Sequence, residues 1–169
     1  MKNISLQDIA IRTELQSGDL GYVTYLHGKL YKSQYGYPIQ FETYVAEGLN
    51  EFYRKYDPSN NRVWVCEHDG KMIGFLLLMN RGEAAQLRYF ILEPEYRSIG
   101  LGKKLMELYM EFLRHCGYTS SYLLTTDELP TAAHLYKKHG FVLVEETPAS
   151  SIFGKPLMEH HYKLDLRSR

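Results

Sequence analysis

Cysteine is scarce in this chain of 169 residues: Cys66 and Cys116 are the two, far apart and with no Cys-x-x-Cys spacing. A disulfide framework is not expected, and a chain of this length buries enough core to need none. Cys66 sits in the apolar run Val63-Trp64-Val65-Cys66, and Cys116 falls on the apolar face of an expected helix. Both read as small buried hydrophobes rather than nucleophiles. A surplus of one charge is missing too, since 20 basic and 20 acidic side chains cancel. Nucleic-acid recognition depends on a basic surplus that displaces counterions, so no nucleic-acid partner is expected. No run approaches the roughly 18 apolar residues of a membrane span. The N-terminus has no apolar stretch that could serve as a signal peptide. These absences lead to the expectation of a cytoplasmic protein with no membrane partner. His160 and His161 have no third ligand at metal-binding spacing, so no metal is expected.

What is present is an ordinary globular mixture, 44% apolar and 24% charged, in which no linker or repeat divides residues 1–169, so one domain is expected. Ile9–Leu15 reads as a short first strand. Ser17-Gly18-Asp19 offers capping chemistry for a helix whose stripe is Leu20, Val23, Leu26 and Leu30. After Tyr35-Gly36-Tyr37-Pro38, the positions from Phe41 to Tyr56 trace a second amphipathic helix. Val63–Glu67 and Met72–Met79 flank Asp69-Gly70, a strong hairpin signal. A strand from about Ala85 to Leu92 ends at Glu93-Pro94. The helix from Gly100 to Cys116 is the best formed in the chain, with Gly117 as its stop. Tyr122–Thr125, Phe141–Glu145 and Tyr162–Leu166 read as strands, and Thr131–His139 as a short helix closed by Gly140. The order β-α-α-β-β-β-α-β-α-β-β predicts an α/β (α+β) fold: a mixed sheet with helices on both faces.

Chemistry concentrates where Glu93-Pro94 leads into Arg97-Ser98-Ile99-Gly100-Leu101-Gly102. Glycines without β-carbons let an anionic ligand approach the backbone. The helix start adds unpaired N–H groups and a partial positive charge, and Arg97 adds a full one. A pyrophosphate suits such a turn. It is not a dinucleotide fingerprint, which needs Gly-x-Gly-x-x-Gly after the first strand of a βαβ unit, nor a P-loop, because no Gly-Lys-Ser/Thr follows.

The segment Arg97–Gly102 resembles the signature motif of the GNAT superfamily of N-acetyltransferases. Ala132-Ala133-His134-Leu135-Tyr136-Lys137-Lys138-His139-Gly140-Phe141 is similar to that superfamily's second hallmark. Gly18-Asp19-Leu20-Gly21, His27-Gly28-x-Leu30-Tyr31, Tyr35-Gly36, Phe41-Glu42 and Phe153-Gly154 resemble the acetyltransferase domain often fused to MarR-type regulators, here expected free-standing. The resemblance implies a mostly antiparallel sheet of about seven strands, splayed between the fourth and fifth, with about four helices. It implies acetyl-CoA as cosubstrate, with pantetheine along Ile91 and Leu92 and pyrophosphate on the amides of Arg97, Ser98, Ile99, Gly100, Leu101 and Gly102.

Acetyl transfer to an amine needs a neutral amine, a polarised thioester and a protonated leaving thiolate. The resemblance implies direct attack and gives Tyr136 the place of a general acid. Relatives often carry a glutamate on the fourth strand where Gln86 falls, so the base is open between Glu83, Glu93 and His27. Of these, Glu83 is the expected catalytic base. Thr126 stands near a cofactor-contacting asparagine of relatives. His27, Tyr31 and Tyr35 are expected to wall the acceptor, a small amine or amino-acid-like compound, with a peptide as an option. The chain is expected to be a monomer or homodimer. A non-catalytic acyl-CoA-binding regulatory module is the alternative, favoured by the missing glutamate and opposed by Tyr136.

Overall fold

The structure, a computed structural model that describes residues 3–167, runs β1 (Ala10–Arg12), α1 (Asp19–Tyr35), α2 (Ile39–Arg54), β2 (Arg62–His68), β3 (Lys71–Arg81), β4 (Ala84–Leu92), α3 (Leu101–His115), β5 (Ser120–Thr126), α4 (Pro130–Lys138), β6 (Val142–Pro148) and β7 (Met158–Asp165). Strand alternation sets the layers. Val63 and Val65 of β2 face one apolar layer with Val23, Leu26, Val45 and Phe52 of α1 and α2. Trp64 and Cys66 face the other, with Leu105, Tyr109 and Leu113 of α3 and Tyr136 of α4. Each large apolar side chain so buried is worth about 1.5–3 kcal/mol, which explains why the chain commits both sheet faces to helices.

The seven strands lie in the order β1-β2-β3-β4-β5-β7-β6. Every neighbouring pair is antiparallel except β4 and β5, which are parallel. Asp69 and Gly70, at φ 49° and 75°, turn the β2–β3 hairpin as the Asp-Gly signal predicts. Gly117, at φ 72°, follows α3.

Several boundaries differ from the expectation. The first strand is shorter than Ile9–Leu15: it ends at Arg12, still paired with Val65, whose side chain forms a two-pronged pair with Asp19 (2.7 and 2.8 Å) while its Nε donates to Glu67 (3.0 Å). The start of α1 is not capped by a side chain: Gly18 holds the N-cap in the left-handed region. Burial alone would raise the Asp19 carboxyl, but the Arg12 fork and the Gln16 N–H outweigh it and hold it below the ordinary range. The last strand begins at Met158 rather than near Tyr162. Cys116 is not a buried position of α3. It caps the helix, half-buried, with its thiol on the Ser59 carbonyl (3.4 Å).

Candidate active site

The β4–β5 ladder closes over three pairs, Ala84↔Ser120 to Gln86↔Tyr122, and then stops. Ser121 holds that closed end, donating to the Ala85 carbonyl (2.9 Å) and pairing with Tyr109 of α3 (2.8 Å). Just beyond it, β4 carries an extra residue against β3, since Leu77 pairs with Arg88 while Phe75 pairs with Ile91. Tyr89 sits there at φ 56°, a conformation a non-glycine residue adopts only at a cost of about 1–3 kcal/mol. A bulge bends its strand, and this one turns β4 away from β5. It also resets the alternation, so that Gln86, Arg88 and Tyr89 all face α1 and α2, while Phe90 and Leu92 face α3 and α4.

The opening is a cleft of about 570 Å³. Its α3 mouth is the glycine turn. Ser98 and Gly100 are both left-handed, at φ 70° and 88°. The first helical bond, from Lys104 N–H to Gly100 O (3.0 Å), leaves the preceding amides of the turn without intrahelical acceptors. A β-carbon on Gly100 would meet no protein atom within 4 Å. The turn is thus a cradle of N–H groups around open space, which fits a phosphate. Arg97 stands beside it, its Nε on the Leu92 carbonyl (3.2 Å) and its Nη atoms on Gln34 of α1 (3.3 and 3.4 Å).

The middle of the cleft holds Tyr136, buried between Phe90, Phe141 and Tyr162. Burial raises its phenol above the usual value, with a smaller push from Tyr31, so the proton stays on. The α1/α2 wall is aromatic: Tyr31 packs against Tyr35, Tyr37 and Phe41, and Phe153 of the β6–β7 loop closes on Tyr37. His27 stacks on Tyr31 and meets the Tyr89 ring edge-on. Burial pushes its imidazole down to about 4, against a smaller upward effect of the Val23 carbonyl. The neutral ring donates from Nδ1 to that carbonyl (2.8 Å), which makes Nε2 an acceptor. A group that resists protonation this strongly holds a donor well and serves poorly as a base.

The structure brings Tyr136, Ile91, Leu92, Arg97, Ser98, Gly100, Gly102, Thr126, His27, Tyr31 and Tyr35 to this one cleft. The side chains of Ile99 and Leu101 turn into the α3 core instead. Glu83 is not brought there: it lies exposed in the β3–β4 turn, at the zipped end of β4, where its carbonyl accepts from Thr119 (3.2 Å). Glu93 also stays outside, in an ion pair with Lys71 (3.5 Å). Gln86 does line the cleft, with its carbonyl oxygen held by Arg81 (3.0 Å) and Tyr122 (3.3 Å).

Sequence reasoning missed Arg88, Tyr89 and Glu159. Glu159 is the one carboxylate among the described residues lining the cleft, opposite Thr126 on β7. Arg88 lies over the Tyr89 ring (4.8 Å) with its side chain 12% exposed. The parity of β4 was a usable signal for Arg88, since it is two residues from Gln86. Among the described residues, no group of three or more His, Cys, Asp or Glu is placed to hold a metal. None of their helices is long and apolar enough to cross a membrane.

Known proteins match this arrangement. Residues 28–141 match the acetyltransferase (GNAT) family. The chain is 32% identical over 114 residues to the uncharacterised N-acetyltransferase YjgM of Escherichia coli, covering 64% of this chain and 68% of that one. It is 30% identical over 136 residues to the Escherichia coli spermidine N(1)-acetyltransferase, covering 75% and 69%. A GNAT acetyltransferase structure from Staphylococcus aureus shares the fold at a TM-score of 0.74 and 20% identity, over 94% of this chain and 99% of that one. The chain belongs to the acetyltransferase (GNAT) family, and it is an N-acetyltransferase by that membership. The family uses acetyl-CoA as cosubstrate.

Proposed function

We propose that this chain transfers the acetyl group of acetyl-CoA to a small primary amine by direct attack. The observation that carries this reading is the cleft through the sheet, with an amide-lined anion turn at one mouth and an aromatic wall at the other. Bound acetyl-CoA supplies an activated thioester. The free amides of the turn, including those of Ile99 and Leu101, and the Arg97 guanidinium hold the pyrophosphate, which leaves the unzipped edge of β4 at Ile91 and Leu92 for the pantetheine. Thr126 offers a hydroxyl near its far end. The spermidine N-acetyltransferase relatives support an amine acceptor. Kinship with the domain fused to MarR-type regulators is part of the same proposal, and the packing at Gly28 agrees with it. Gly28 lets Glu42 of α2 approach α1, since a β-carbon there would stand 2.6 Å from its Oε1.

On the acceptor side, His27 Nε2 receives a hydrogen bond from the amine, and Tyr31 and Tyr35 exclude water. The reaction forms a C–N bond and breaks a C–S bond. Glu159, in the place Glu83 was expected to fill, takes the proton the nitrogen sheds, directly or through water. Tyr136 donates a hydrogen bond to the departing sulfur. A thiol titrates near 8.5 and this phenol above 10, so complete transfer from phenol to thiolate is uphill. The hydrogen bond itself, rather than a finished transfer, is the larger part of the role, and a solvent proton completes the thiol.

Thiol release from acetyl-CoA in the presence of primary amines tests the reading, with calorimetry reporting cofactor affinity. Acceleration by at least one amine is expected. Tyr136→Phe should lower kcat by about a hundredfold and leave affinity within twofold. Tight acetyl-CoA binding with no amine-dependent release would transfer the chain to the non-catalytic acyl-CoA-binding reading.

A further inference from the structure

We propose that the acceptor amine also carries an anionic group, a carboxylate or its equivalent, which seats on Arg88, and that polycationic amines are refused. This rests on the acetyl-transfer reading and names the substrate class of the same cleft. Two guanidinium groups beside α2, Arg88 in the cleft lining and Arg81 outside it, share one carboxylate. Glu51 gives its close contact to Arg81 (2.9 Å) and stands 3.9 Å from Arg88. Arg81 is satisfied further by Gln86 (3.0 Å), whereas the other protein bond of Arg88 is a long one to the Tyr44 hydroxyl (3.4 Å). A guanidinium has five N–H donors. Arg88 therefore brings a surplus positive charge and spare donors to a side chain that is 12% exposed and lines the cleft. An ion so shielded is costly without a partner, and a bidentate oxyanion is the partner its shape fits.

The cofactor's phosphates do not fill this need. Their cradle is the 98–102 turn, in contact with α3, whereas Arg88 projects toward α1 and α2 with Tyr44 and Tyr89. The position is built rather than incidental: Tyr89 buries its hydroxyl against Gly48 of α2 with no hydrogen-bond partner, and the Arg88 guanidinium carbon lies 4.8 Å from its ring centre. Glu159, the one carboxylate among the described residues lining the cleft, stands on β7 across the opening, so a zwitterion meets opposite charges at its two ends. A polyamine would bring further positive charge to Arg88 and find one carboxylate for several ammonium groups.

The test uses matched acceptors: a panel of L-amino acids, the carboxamide of each, and spermidine. Thiol release should give the best acid a kcat/KM at least tenfold above its own amide and above spermidine. Arg88→Gln should bring the acid-to-amide ratio near one, and Arg88→Lys should keep part of it. Thermal melting and acetyl-CoA calorimetry establish that each variant is folded. A wild-type ratio of one or less, or a ratio that survives in R88Q, overturns the proposal. If no amine at all supports release, the acetyl-transfer reading fails on its own. The seat is then read by calorimetry with coenzyme A present: binding of an acid but not of its amide, lost in R88Q, supports it, and equal or absent binding overturns it.

Discussion

The two mouths of the cleft are made of different material. The α3 mouth is backbone: six consecutive residues, two left-handed φ angles and a helix start produce an anion cradle in which no side chain except Arg97 is charged. The α1/α2 mouth is side chain: His27 and Tyr31 from one helix, Tyr44 from the next and Arg88 and Tyr89 from a strand meet only after folding. A backbone site depends on a short stretch of torsions, so it tolerates change around it and fails when one torsion is lost. A side-chain site depends on how helices sit on the sheet, so packing changes at a distance should alter it.

The comparison is broken most severely at Gly100. Valine there must either hold φ 88°, which costs an L-residue roughly 1–2 kcal/mol, or shift the turn, and its methyl groups enter the space the phosphate needs. No protein atom lies within 4 Å of the new β-carbon, so the fold has no clash to suffer. Gly100→Val should therefore weaken acetyl-CoA binding about a hundredfold, some 2.7 kcal/mol, in calorimetry. An affinity within threefold of wild type would remove the turn from the cofactor site.

This contrast also explains what could be read from the sequence. The element order, the hairpin at Asp69-Gly70 and the turn at 97–102 are contiguous signals with a local cause, and each stands in the structure where periodicity puts it. The bulge at Tyr89 has no such mark, because no glycine announces its positive φ. Without it, β4 parity assigns Tyr89 to the wrong face. Glu159 was hidden for another reason: His160 and His161 look like loop polar residues until pairing with β6 makes them strand, and β7 then begins four residues early. The Arg81–Glu51–Arg88 charge count joins residues 30 and more apart through the α2–sheet contact, which no window of sequence contains.

A smaller perturbation isolates the side-chain mouth. A β-carbon on Gly48 would fall inside the radius of the Tyr89 hydroxyl and stand 2.9 Å from an Arg88 nitrogen, so Gly48→Ala must push both out of place. Overpacking of this kind costs about 1–3 kcal/mol of stability. The acceptor KM should rise about tenfold while acetyl-CoA affinity stays within twofold, because the atoms a β-carbon on Gly48 meets first belong to Tyr89 and Arg88 and not to the 97–102 turn. Equal losses at both ends would mean the two mouths are not separable.

The mildest test concerns protons. His27 binds its proton with a pKa of about 4 in the folded chain, against about 6.5 when unfolded. Between those values the unfolded state holds more protons, so stability rises with pH through this window and is fully present above about 6.5. From pH 8 to 5.5 the wild type should lose about 1–2 kcal/mol through this residue, since a pKa gap is worth about 1.4 kcal/mol for each pH unit traversed below 6.5. In a chain of this size that is a drop of about 3–6 °C in Tm. His27→Gln keeps a donor for the Val23 carbonyl and has nothing to titrate. It should be less stable at pH 8, because the ring contacts with Tyr31 and Tyr89 are lost, yet show a pH slope shallower by that amount. Parallel curves for the two proteins would show that the acceptor wall does not hold His27 neutral, and its role as a hydrogen-bond acceptor for the amine would go with it.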